Sequence, residues 1–278
     1  MATVCFQRQS RCYGSKNPCS SVARMSALTH TSNGVMHAPL RWVLWDVKDT
    51  LLKVRSSVGE QYCDEAKRIG LSLNPAEVAA AFRQAYRHHS STFPNYGITQ
   101  GLDGQSWWKA VVKATFSLCK VRDPAILNTM AHNLYQNFSK AENWEVFPDS
   151  KAALENCSSL GLQLGVVSNF DNRLEAILHS CGLLSHFSFL VTSEGAGVEK
   201  PEAAIFNQAL RKCGVPAASV AHVGDHYVND YLTSRSVGIH GFLLDRKSPF
   251  ERRDVPKEHR LSSLDELPVR LKQHMDAH

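Results

Sequence analysis

Arg41-Trp42-Val43-Leu44-Trp45-Asp46-Val47-Lys48-Asp49-Thr50 decides the fold. Its first five residues form a short, β-favouring run without a turn signal, and the run stops at an aspartate. It reads as a buried strand, and one such strand is not stable alone. Partners follow only after Trp144. Strand-like runs at Leu162–Val167, Phe187–Val191, Ser219–Val223 and Ile239–Leu244 alternate with helical stretches at Asp149–Leu160, Asn172–Cys181 and Glu202–Cys213. A further helix starts at Tyr227, and a last one lies near Leu264–Leu271. Repeated β-α units build a parallel sheet with helices on both faces, so the expected fold is α/β with a doubly wound parallel sheet.

Between the first strand and the rest, the pattern changes to four amphipathic helices with no strand: Glu60–Ile69, Pro75–His88, Gln105–Cys119 and Pro124–Phe138. Asn74 before Pro75, and Asp123 before Pro124, each give an N-cap followed by proline at the first helical position. The segments on either side must share one sheet, so this block is expected to be an inserted all-helical cap. The division is residues 1–39 as a leader, 40–55 and 145–278 as the α/β core, and 56–144 as the cap.

A chain of 278 residues, 43% hydrophobic and 21% charged, is long enough for a core and a cap and ordinary in composition. No apolar run approaches the roughly 20 residues that span a bilayer, so a membrane is not an expected partner. The net charge of +5 is local. No acidic residue precedes Asp46, and Arg8, Arg11, Lys16, Arg24 and Arg41 account for the whole excess. The remainder is neutral, which argues against a nucleic-acid-binding face. The Ser- and Arg-rich, acid-free leader has the composition of a mitochondrial transit peptide. A disordered extension made by starting translation upstream of Met36 is the alternative, so a mitochondrial and a cytoplasmic location both stay open. The eight cysteines form no C-x-x-C pair, which speaks against zinc and for a reducing compartment. Cys5, Cys12 and Cys19 are spaced by seven but lack His or acidic companions.

Doubly wound sheets bind ligands at the carboxyl ends of their strands, where strand order reverses. Here the first strand ends in Asp46-Val47-Lys48-Asp49-Thr50 and the second in Ser168-Asn169-Phe170-Asp171. The third is followed by Lys200-Pro201, and the fourth ends in Gly224-Asp225 with Asp230 five residues on. In this order, with a helical insert after the first, the four segments resemble the four motifs of the haloacid dehalogenase superfamily. The resemblance spans Arg41 to about Arg246. It implies a hydrolase of phosphatase type acting on a small phosphorylated molecule through an aspartyl-phosphate, with Asp46 as the nucleophile. A carboxylate approaches a dianionic phosphate only when cations offset the repulsion, and the resemblance implies Mg2+ for this. Its ligands would be Asp46, the Lys48 carbonyl, Asp225, and Asp230 directly or through water. Ser168 and the Asn169 backbone would hold the phosphoryl group, Lys200 would add positive charge and restrain Asp46, and the Thr50 hydroxyl would support the loop.

The first motif departs from the family pattern D-x-D-G-T. Lys48 replaces the second aspartate, which in family phosphatases protonates the leaving oxygen and then activates water. A lysine with an ordinary pKa near ~10.4 is a poor base at neutrality, and losing a positioned acid–base group costs about 10²–10⁴ in rate. Lys48 could also repel a metal, or itself supply the cation. Asp49 replaces a glycine; Asp tolerates a left-handed backbone better than most residues. Dehalogenases of the superfamily lack the second aspartate too, but Asp225 and Asp230 favour a metal. Two functions follow: a weak or narrow phosphatase, or a non-catalytic descendant that binds a phosphometabolite or a partner. Phe93-Pro94-Asn95-Tyr96-Gly97, Trp107-Trp108, His88 and His89 could form an aromatic loop over the site for a ring-bearing substrate. The plainer reading, that these aromatics glue the bundle, comes first. His222 and His226 lack companions for a metal cluster.

Overall fold

The computed structural model describes residues 39–246 and 254–276. The leader, with its three cysteines and both readings of its origin, lies outside the described residues. Chain order is β1 (Trp42–Trp45), β2 (Leu52–Val54), α1 (Val58–Arg68), α2 (Pro75–Thr92), α3 (Gly104–Leu118), α4 (Pro124–Asn137) and β3 (Trp144–Val146). Then come α5 (Ser150–Ser159), β4 (Gln163–Ser168), α6 (Leu174–Ser180), β5 (Phe189–Thr192), the single turn α7 (Ser193–Ala196) and α8 (Ala203–Cys213). The chain continues through β6 (Val220–Gly224), α9 (Thr233–Ser236), β7 (His240–Leu244), the two-residue β8 (Arg260–Leu261) and α10 (Glu266–Asp276). No described helix is long and apolar enough to cross a membrane.

Six strands form one parallel sheet in the order β5-β4-β1-β6-β7-β8. β1 lies inside it, with Trp42 opposite Gln163 of β4 on one side and Val220 of β6 on the other. Strand order reverses there, so the switch point of the sheet is the carboxyl end of β1. Alternate side chains of β1 serve opposite layers. Val43 and Trp45 pack with Leu154, Leu174 and Leu267 on one face, while Trp42 and Leu44 pack with Ile205 and Phe206 on the other. Every β1 residue is buried, as a strand covered on both faces requires.

The helical insert follows β1 and precedes β4, as expected. Its helices start where the caps said they would: Asn74 accepts from the Ala76 N–H, and Asp123 from those of Ala125 and Ile126. Ser57 and Glu60 form a capping box at α1. A core of Tyr62, Val112, Phe116, Met130 and Leu134 holds α1 to α4 together. Besides the short edge strand β8, two features were not anticipated. β2 and β3 pair as a short antiparallel ribbon at the foot of the insert, Leu52 opposite Val146. Tyr227–Leu232 forms a wide helical turn rather than a regular α-helix, and α9 continues from it.

Candidate active site

Asp46 emerges directly from β1, its N–H still donating to the Val223 carbonyl at 2.9 Å, so the sheet ladder fixes where the carboxylate stands. The group is 6% exposed. Its Oδ1 accepts from Lys200 Nζ at 2.7 Å and from the Ser168 hydroxyl, at the end of β4, at 3.0 Å. Its Oδ2 lies 3.2 Å from the Thr50 hydroxyl, which also approaches Asp225 Oδ1 at 3.4 Å. Lys200 is buried, and its ammonium donates to Asp46, to Asp230 Oδ1 at 2.6 Å and to the Val167 carbonyl at 3.0 Å. Three N–H bonds thus meet three acceptors. The Asn169 side chain sets the height of Lys200 by clamping its backbone, accepting from its N–H at 2.7 Å and donating to its carbonyl at 2.8 Å.

Asp230 sits behind this pair. Its Oδ1 also lies 3.1 Å from His222 Nε2, and its Oδ2 accepts from the His226 N–H at 3.0 Å. Gly224 permits this approach, because a Cβ there would collide with the Asp230 carboxyl. Burial would raise the Asp230 carboxyl, but the charge of Lys200 and the bonds from His222 and Lys200 hold it well below the usual carboxylate range. Burial likewise works against a charged Lys200; the charges of Asp230 and Asp46 outweigh it and hold the ammonium above its ordinary value. Asp225 reaches solvent at the mouth. Enclosure by the cleft walls, then the charges of Asp46 and Asp230, push its carboxyl up to about 7.

The donor set fits a divalent cation. One oxygen from each of Asp46, Asp225 and Asp230 falls within 4.8 Å of the others. Lys200 compensates two of these carboxylates and does not bond the third. That excess of negative charge among hard oxygen donors suits Mg2+.

All eight residues singled out from the sequence gather around one cleft of about 410 Å³ or its floor. Lys48 is placed differently from the reading that would have it supply the cation. Lys48 Nζ bonds Asp49 Oδ2 at 2.6 Å, with both side chains about half exposed, so the ammonium is turned to its neighbour rather than to Asp46. Partial enclosure would lower the Lys48 pKa; the Asp49 hydrogen bond and charge, with Asp225, raise it instead. Asp49 lines the cleft with its carboxylate bonded to Lys48, and it adopts the left-handed conformation of the glycine it replaces, at φ 64°.

Other cleft residues were not singled out as site residues. Glu199, His226 and Asn229 line it, and Asn95 and Tyr96 close it from the cap. The adjacency of His226 to Asp225 was the available signal. Tyr96, at φ 61°, stands edge-on to Trp107 at 5.5 Å. The aromatic segment thus both glues the bundle and faces the cleft. His222 belongs to the Asp230 network, and His226 Nδ1 accepts from the Asn229 N–H.

Residues 40–238 match the family described as haloacid dehalogenase-like hydrolase. The chain is 63% identical over 242 residues to the haloacid dehalogenase-like hydrolase domain-containing protein 3 of Danio rerio, covering 87% of this chain and 100% of that protein. Among solved structures it resembles a 2-haloacid dehalogenase from Pseudomonas syringae pv. Tomato DC3000, with a TM-score of 0.62 and 20% identity over 84% of this chain and 99% of that one. It also resembles a HAD phosphatase from Thermococcus onnurineus, with a TM-score of 0.59 and 21% identity over 83% of this chain and 97% of that one. At these identities the two structures speak for the fold.

Proposed function

Because the chain belongs to the haloacid dehalogenase-like hydrolase family, we propose that it is a Mg2+-dependent phosphatase-type enzyme acting on a small phosphorylated molecule. The observation that carries this reading is the buried Asp46, held by Lys200 and Ser168 at the switch point of the sheet beside two further carboxylates. Asp46 attacks phosphorus, the bond to the leaving oxygen breaks, and water later cleaves the aspartyl-phosphate. Ser168 and Lys200 orient the nucleophile and, with the Asn169 backbone, offset charge on the transferring group. Asp46, Asp225 and the Lys48 carbonyl would hold the metal. Asp230 already accepts three hydrogen bonds and would reach it through water. The bound ion supplies charge neutralisation for the phosphoryl oxygens. Retention of Asp225 and Asp230 favours this chemistry over a metal-free dehalogenation.

Hydrolysis of a panel of phosphate esters, with and without Mg2+, tests the reading. Asp46→Asn is expected to lower turnover by at least about 10⁴, in line with the loss of a nucleophile. Turnover that survives the substitution removes the assignment.

A second reading has its own observation. Lys48 stands where the family acid–base aspartate would, and its ammonium is bound to Asp49. A protein so built would bind a phosphometabolite with little turnover. Restoring the pattern with Lys48→Asp and Asp49→Gly is then expected to raise the rate by about 10²–10⁴. A wild-type rate already equal to that of the double variant excludes this reading. The leader's composition leaves a mitochondrial and a cytoplasmic destination open; an intact Met1 in a cytosolic fraction would remove the first.

A further inference from the structure

Beside the polar cleft lies a second cavity of about 520 Å³, between the helical insert and the core. Five residues, Lys48, Asp49, Tyr86, Tyr96 and Asn169, line both, so the two share a wall. The characters of the two differ sharply. The cleft carries carboxylates, an ammonium and a hydroxyl, whereas the second cavity is walled mainly by Tyr62, Phe82, Trp108, Leu134, Phe138 and Trp144. Its size falls in the range of small-molecule sites, roughly 300–1,000 Å³.

The ionic groups of this cavity are already paired. Arg173 holds Asp171 at 2.6 Å and stacks on Tyr135 at 4.2 Å, while Trp108 Nε1 donates to Asp171 at 2.7 Å. Lys53 pairs with Glu145, and Lys48 with Asp49. A charged or polyhydroxylated group entering here would lose water and find these ions engaged with each other. An apolar ring has little hydration of its own to lose and gains aromatic contacts.

Resting on the phosphatase-type reading above, we infer that the substrate is a phosphate monoester whose leaving group is uncharged, apolar and ring-bearing. Its phosphate occupies the cleft at Asp46 and its ring the aromatic cavity. Phosphorylated carboxylic acids are disfavoured because the ionic groups that would bind their charge are already paired, and sugar phosphates because the walls are mainly apolar.

Binding separates this inference from the hydrolysis it rests on. Calorimetry with Mg2+ present would compare naphthylmethylphosphonate with 2,3-dihydroxypropylphosphonate, neither of which can be hydrolysed. The naphthyl compound is expected to bind at least about tenfold tighter, the gain from burying its rings. Val58, which lines the cavity at the head of α1 and touches none of the catalytic groups, is the site to block. Val58→Trp fills the cavity and Val58→Asp places a charge in it. Each is expected to remove the naphthyl preference while leaving orthovanadate binding, which reports an intact cleft, unchanged. Equal affinities, no binding of either phosphonate, or a preference untouched by both variants would overturn the inference. Hydrolysis of naphthyl phosphate is followed in parallel. Preference without turnover keeps the cavity assignment and removes the phosphatase reading; turnover without preference does the reverse.

Discussion

Lys200 shows how one side chain makes a cluster of acids foldable. Lys200 is 3% exposed, and its ammonium sits between two nearly buried carboxylates. Replacing a buried ion network with apolar groups throughout is often neutral, whereas deleting one member strands the others. Lys200→Met is therefore expected to cost about 3–5 kcal/mol, read as a lower urea midpoint at unchanged slope. A cost under 1 kcal/mol would show that Asp46 and Asp230 do not depend on this partner. That a lysine belonged beside the aspartates was legible only through the family resemblance, because Lys200-Pro201 alone reads equally as a turn. That Asn169 would clamp the lysine backbone was not, because the two lie 31 residues apart and only packing joins them. The Lys48–Asp49 pair was equally hidden, since sequence neighbours usually point apart.

Among the elements, α5 has the most instructive start. Asp149, just before it, receives Arg246 through two N–H groups at 2.8 and 2.9 Å, the Ser263 hydroxyl at 2.8 Å and the Leu264 N–H at 2.9 Å. Arg246 in turn lies 4.0 Å over the ring of Phe147. One carboxylate thus fastens the head of α5 to the chain leading into α10. Burial alone would raise the Asp149 pKa, but Arg246, Leu264 and Ser263 bring it below the ordinary value. A folded-state pKa below the unfolded one gives stability that is present above about pH 4 and is lost as pH falls through the folded value. Asp149→Asn should then cost about 1.5–3 kcal/mol at pH 7, and the gap to wild type should close on acidification. Urea titrations from pH 7 to pH 3 check this; a gap independent of pH would refute it. Helices α1 to α4 were readable because each carries a cap and a long apolar face. β2 and β3, of three residues each, are too short for alternation to register, and their pairing spans the whole insert. The wide turn at Tyr227–Leu232 lacks any sequence marker that separates it from an α-helix.

The molecule as a whole is organised around a strand placed near the start of the chain and near the middle of the sheet. The doubly wound topology and the ring of strand ends could be read in advance, because each end carries a polar residue after an apolar run. The aromatic cavity could not, since its walls come from β2, β3, α1 to α4 and the loops after β1, α2 and β4. β1 has a further consequence, for biosynthesis. Its neighbours begin at Gln163 and Val220, so it leaves the ribosome long before either is made. At about 5–20 residues per second, the wait for Gln163 is roughly 6–24 seconds. Throughout it, Trp42–Trp45 is an unpaired apolar ribbon, while the insert already has its own apolar core to collapse around. Nascent chains halted near residue 160 are thus expected to be cut by protease beside Trp42–Trp45, and chains extended past Gly224 to resist. Equal protection at both lengths would mean that the ribbon finds shelter before its partners exist. Otherwise the first strand of the sheet to be translated is among the last to be buried, and the interval is one in which a chaperone has something to hold.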